Sequence, residues 1–168
     1  SGVVASDVTG VGTARYALTA AGYGGDKAIF GYGDSGSITA VSNLVSNSGV
    51  VATDTTGVGT ARSYLAACGY GTDTAIFAYG NTGSRVSMSN LVNNSGTIAS
   101  DVTGVGTARR GLGAASYGGD KAIFAFGDTG SYTAISNLVS SSGVIAADVT
   151  GVGTVRGFLA AAGYSTSA

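Results

Sequence analysis

Histidine, glutamate, tryptophan and proline are all missing from the 168-residue chain, and cysteine occurs once. Without histidine or glutamate, two of the commonest general acids and bases are missing, and nothing points to an Asp–Asp pair in their place. No G-x-S-x-G elbow activates a serine, and no glycine run ends in the GK[ST] of a phosphate loop. The chain therefore reads as a non-enzyme with no cofactor. The lone Cys68 excludes an internal disulfide and any multi-cysteine metal site. A formal net charge of −1 offers no electrostatic footprint for nucleic acid or an anionic membrane. No run of about 18 apolar residues is present to cross a bilayer. Lysine occurs only at Lys27 and Lys121, so with glutamate absent, good helix formers are few beyond alanine and some leucine.

What is abundant points to strands. The chain is 44% hydrophobic, too apolar to stay disordered, and Val, Ile, Thr, Tyr and Phe suit a pleated, half-buried surface. It also contains 30 glycines, and their placement is periodic. Ser-Gly recurs at Ser1, Ser48, Ser95 and Ser142, a period of 47 residues without insertion. Ser1–Asn47 and Ser95–Ser141 match at 35 of 47 positions, which suggests recent duplication or deliberate engineering.

Each repeat predicts four short strands, which in the first copy are Ala14–Tyr23, Lys27–Gly33, Ile38–Val45 and Gly49–Thr55. The links GGD, DSGS and SNSG are turn-formers, so successive strands pair as antiparallel hairpins. Four antiparallel strands per 40–50 residues is the pattern of a β-propeller blade. A β-solenoid is the competing architecture, but its coils are shorter and its strands parallel. Ala20 and Ala21 would suit the crowded innermost strand, and Cys68 falls in the slot of Ala21, Ala115 and Ala162.

The runs AIFGYG at Ala28–Gly33, AIFAYG at Ala75–Gly80 and AIFAFG at Ala122–Gly127 resemble the second strand of kelch repeats. The arginine opening each first strand and the period fit as well. One glycine follows the run where the kelch pattern has two, and the usual tryptophan is absent, so the resemblance is to a divergent group. The GYG-rich repeats also resemble those of phage and environmental viral sequences.

The expected architecture is thus an all-β propeller segment. It has an outer strand over 1–12, blades at 13–59, 60–106 and 107–153, and an inner strand over 154–168. Three blades are too few for a ring, and both ends leave edge strands that recruit partners. The expected partner is a second copy, giving eight wedges of which two are mixed. A four-wedge ring from one chain and a fragment of a longer propeller are the alternatives.

Asp7, Asp54, Asp101 and Asp148 recur in D-x-TGVGT, with Arg15, Arg62, Arg109 and Arg156 eight residues later. As a ring they are either a ligand site at a channel mouth or pairs that lock each blade-to-blade linker. Asp26, Asp73, Asp120, Asp34 and Asp128 lie in turns, one carboxylate to a turn, which fits Asx turns better than calcium. Asn43, Asn90 and Asn137 are expected to bond backbone. Two slots vary between copies: Tyr16–Ala17, Ser63–Tyr64, Arg110–Gly111 and Gly157–Phe158, and separately Ile38, Arg85 and Tyr132. Tyr and Arg there suit binding. The functional expectation is a non-catalytic scaffold or binding module that self-assembles, engaging an unidentified protein or glycan. The alternative is a glycan-binding or glycan-active propeller with its site at the central channel.

Overall fold

The computed structural model describes residues 6–163. Among these the secondary structure is all β, with no helix. Strands β1 (Thr19–Tyr23), β2 (Lys27–Gly31) and β3 (Ser42–Val45) form one antiparallel sheet. Strands β4 (Ala66–Tyr70), β5 (Thr74–Ala78) and β6 (Ser89–Val92) form a second, and β7 (Gly113–Tyr117), β8 (Lys121–Ala125) and β9 (Ser136–Val139) a third. In the first sheet Ala21 faces Ile29, and Ile29 faces Leu44.

Local chemistry sets the strand ends. Gly24 and Gly25 have φ of 61° and 80°, the left-handed conformation that lets β1 turn into β2 in a short hairpin. The second strand is shorter than the Lys27–Gly33 expected, because Tyr32 (φ 62°) and Gly33 (φ 105°) leave the extended region. A Cβ on Gly33 would lie 2.7 Å from the Tyr16 carbonyl oxygen, so the chain can pass there only as glycine.

Each sheet has three strands where four were expected. The fourth segment does lie along the edge of β3, but it meets it only at the isolated bridges Val45–Val51 and Ser42–Thr55. Between them the Ala52 carbonyl accepts the Asn43 side chain at 3.1 Å. Asn90 and Asn137 do the same at Ala99 and Ala146, so a side chain enters where a continuous ladder would run. Of the end strands expected at 1–12 and 154–168, residues 1–5 and 164–168 lie outside the described residues. Residues 6–12 and 154–163 carry no strand, only a bridge between Thr133 and Arg156.

The sheets pack face to face. β1 lies against β4 and β5, and β4 against β7 and β8. One core cluster, including Ile29, Tyr32, Phe77 and Val92, fills the first interface, and another, including Ile76, Tyr79, Phe124 and Val139, fills the second. The central β5 is buried at every residue after Thr74, which explains its unbroken apolar run. Phe77 rests on Gly31, where a Cβ would fall 2.9 Å from its ring. The equivalent Phe30, on the uncovered face of the first sheet, is 38% exposed, while Phe77 and Phe124 are fully buried.

Equivalent residues also meet through the backbone. The Tyr64 amide donates to the Ala17 carbonyl at 2.9 Å, the Gly111 amide to Tyr64 at 2.9 Å, and the Phe158 amide to Gly111 at 2.6 Å. All four have φ between 51° and 61°. This relay ties the starts of successive repeats together.

Cys68 is buried on β4, and burial pushes its thiol up to about 12. A thiol so rarely ionised is a poor nucleophile. We expect it to resist iodoacetamide at about pH 8 in the native protein and to react once unfolded. Full native labelling, read by mass spectrometry, would contradict the burial.

Candidate functional site

The D-x-TGVGT segments and the arginines after them build one device three times. In the second copy, Asp101 accepts the Thr60 amide at 3.0 Å and the Thr60 hydroxyl at 2.6 Å. Asn90 donates to the same carboxylate at 2.9 Å and accepts Arg62 Nη2 at 2.6 Å. Arg62 completes its set with the carbonyls of Tyr79 (3.0 Å) and Thr60 (3.1 Å). Glycine makes this possible: Gly59 has φ 76°, and a Cβ there would collide with both Asp101 and Asn90. Arg15–Asn43–Asp54 and Arg109–Asn137–Asp148 repeat the design.

The partners differ from the simplest reading of the spacing. Arginine does not pair with the aspartate eight residues before it. Arg15 meets Asp54 at 3.8 Å and Arg62 meets Asp101 at 3.9 Å, a separation of 39 residues in each case (54 − 15 and 101 − 62). The clamp therefore joins the beginning of a repeat to its own end. Asp7 is exposed and makes no ion pair or hydrogen bond among the described residues. Arg156 donates to the Thr154 carbonyl at 3.1 Å and lies 3.6 Å from the Phe126 ring centroid.

A second contact links repeats. Arg62 stacks 4.3 Å from the centroid of Tyr32 in the preceding repeat, and Arg109 lies 4.1 Å from Tyr79. The Tyr32 and Tyr79 hydroxyls then donate to the carbonyls of Val58 and Val105. Arg62 and Arg109 are 0% exposed and each of their guanidinium nitrogens has a partner, so neither is open to a ligand from solvent. Asn43, Asn90 and Asn137 do bond backbone, but each also bridges arginine to aspartate.

The clamps carry a pH signature. The Thr13 hydroxyl first, then Asn43, holds Asp54 below the ordinary carboxylate value of 3.8. Burial pushes Asp101 and Asp148 the other way, but Thr60 with Asn90, and Thr107 with Asn137, leave both lowered. A carboxylate with a depressed folded pKa stabilises the fold fully above its unfolded pKa, and that contribution is lost as pH falls through the folded value. Thermal unfolding followed by circular dichroism should give a level Tm above about pH 5 and a falling one below about pH 4. A Tm unchanged down to about pH 3 would show that the clamps contribute nothing to stability.

The turn aspartates hold their own turns and neighbouring side chains. Asp34 and Asp128 accept the amides of Gly36 and Gly130 in Asx turns, while Asp26 takes Lys27 and Asn47. Among the described residues, no three His, Cys, Asp or Glu side chains cluster.

The two variable slots converge. Arg85 Nη2 reaches both Asp128 oxygens at 3.0 Å, its Nε donates to the Asp128 carbonyl, and Arg110 Nε reaches Oδ2 at 3.2 Å. Arg110 lies over Tyr64, 5.7 Å from its centroid, and Tyr64 meets Phe158 edge to face. Beside them opens a shallow cavity of about 430 Å³ lined by Arg110, Asp128, Gly130, Ser131, Tyr132 and Phe158. Sequence spacing brought the slots to notice as variable but not Asp128 as their junction, since Arg85 lies 43 residues away. Comparison with protein-family models and with curated proteins returns no match for this chain.

Proposed function

We propose that the chain is a non-catalytic, kelch-like β-propeller scaffold that closes its ring by pairing with a second copy. The observation that carries this reading is the relay through Ala17, Tyr64, Gly111 and Phe158. It sets equivalent residues one hydrogen bond apart at one end of each repeat. Sheets packed face to face stand about 10 Å apart. Backbone bonds from Gly24 to Asp73 and from Gly71 to Asp120 join the far ends of the same strands. Repeats held along their first strands and spread by their sheets radiate like wedges, and contact between sheets concentrating on β1, β4 and β7 fits inner strands.

Self-association is favoured by what the end faces offer. On the first face Phe30 stands uncovered. At the other end, Ala125 and Phe126 occupy the positions that receive Phe77 and Phe124 inside the molecule. Two mixed wedges would then place Asp7 of one copy against Arg156 of the other, as Asp54 stands to Arg15. The clamped aspartates support a structural over a catalytic role, since Asp54, Asp101 and Asp148 are all lowered rather than raised.

The test is solution mass by light scattering coupled to size exclusion. The expected result is about twice the chain's 16.2 kDa, with Phe30→Asp falling back to monomer because a charge cannot be buried in an apolar interface. A monomeric wild-type protein would overturn the paired ring.

A further inference from the structure

The clamp arginines and asparagines repeat in the three copies, whereas Arg110, Tyr132 and Phe158, from slots that vary between copies, meet at one cavity with Arg85 behind them. Arg85 stands where the other repeats have Ile38 and Tyr132. Arg110 stands where they have Tyr16, Ser63 and Gly157. Position 157 takes glycine because Tyr132 lies over it, where a Cβ would fall 2.9 Å from the ring. The combination of Arg85 and Arg110 in the last two repeats creates a chemistry that the first lacks.

Two guanidiniums share one carboxylate there, so the cluster keeps an excess positive charge in a chain whose formal net charge is −1. Arg85 spends Nε and Nη2 on Asp128, and Arg110 spends only Nε. Arg85 Nη1 and both terminal nitrogens of Arg110 have no hydrogen-bond partner among the described residues, and each arginine is one-third exposed. Free guanidinium N–H groups at a shallow, open site are donors for a carboxylate from outside.

Beside this charge lie two aromatic rings supported by glycine. Tyr132 covers Gly157, where a Cβ would sit 2.9 Å from its ring, and Phe158 covers Gly111 at 3.0 Å by the same measure. The rings are 55% and 56% exposed. Single exposed aromatics are ordinary, but two on one cavity beside spare charged donors are binding anchors. The Ser131 hydroxyl, also on the cavity, makes no hydrogen bond among the described residues. Flat apolar faces, a free hydroxyl and a carboxylate receptor suit a ring-shaped, hydroxyl-rich anion rather than a greasy ligand.

We infer that the cavity lined by Arg110, Asp128, Ser131, Tyr132 and Phe158, with Arg85 behind it, binds an acidic saccharide. A uronate carboxylate would meet the free arginine N–H groups, and a pyranose face would lie on Tyr132 or Phe158. The inference stands on this side-chain cluster and does not require ring closure.

Titration calorimetry with tri-galacturonate as the probe, and maltotriose as the neutral control, tests it. The wild-type protein should bind the acidic sugar and not the neutral one. Arg110→Gln should weaken binding about 10–100-fold, the value of charge-assisted hydrogen bonds. Tyr132→Ala, which breaks no ion pair, should weaken it about 2–10-fold while Tm stays within a few degrees of wild type. No binding of tri-galacturonate, equal binding of maltotriose, or indifference to both substitutions would overturn the assignment. So would tight binding of an aspartate-rich peptide with no binding of the sugar, which would make the site a peptide receptor. Solution mass measured on the same samples reports separately on the scaffold reading.

Discussion

Replacing Arg62 with alanine is expected to destabilise the protein by about 3–5 kcal/mol. The side chain is fully buried and long. Its loss leaves a cavity, strands the Asn90 and Tyr79 oxygens without a donor, and removes the cation–π contact with Tyr32. A stranded buried acceptor alone costs about 1–3 kcal/mol. Lysine should not rescue it, because one ammonium cannot reach three acceptors arranged around a planar fork. The same substitution at Arg156 should cost less than about 1 kcal/mol, since that residue is exposed and lacks the asparagine. Urea denaturation of the two variants side by side is the measurement. Equal effects would mean that the clamp does not act through burial.

The second large effect is expected at Tyr79. Its ring lies between Arg109 and Phe124, with the Phe124 centroid 5.5 Å away, and its hydroxyl reaches the Val105 carbonyl at 3.2 Å. Tyr79→Ala should cost about 3–5 kcal/mol, from the cavity and the lost ring contacts. Tyr79→Phe should cost only about 1 kcal/mol, the worth of one ordinary hydrogen bond. The third repeat already carries phenylalanine there, and Phe126 keeps both the left-handed φ of 65° and its arginine, Arg156. If Phe and Ala proved equally damaging, the hydroxyl rather than the ring would hold the linker in place.

The all-β class and the hairpins were legible because their signals are local. GGD and SNSG announce turns within four residues, and the apolar run after Lys27 announces a strand. The fourth strand was misjudged at Ala52, whose carbonyl turns to Asn43; a strand-like composition does not reveal that a side chain has claimed the ladder position. Tyr32, Tyr79 and Phe126 were placed inside strands, although they sit at φ of 62–65°. Aromatic residues rarely adopt that conformation, and at Tyr32 and Tyr79 burial between an arginine and a phenylalanine outweighs the local preference. The clamp residues were found by their repetition, but their pairing was not. Eight residues looked near and 39 looked far, and only the closed repeat inverts that order. At the rim, Arg85, Arg110 and Tyr132 were recognised as variable, while Asp128 was read as a turn residue because its second duty depends on chain segments that meet only in the folded protein.

The stacking of each arginine on the aromatic of the repeat before it has a consequence for cooperativity. Repeats that touch only their neighbours behave as a one-dimensional array of couplings. The middle repeat is held by two such couplings, Arg62 on Tyr32 and Arg109 on Tyr79. Opening it breaks both, as opening the third breaks Arg109 on Tyr79 and Arg156 on Phe126, whereas the first repeat releases by giving up Arg62 on Tyr32 alone. Local unfolding should therefore begin at the first repeat, with β5, covered on both faces, the last segment whose amides exchange with solvent.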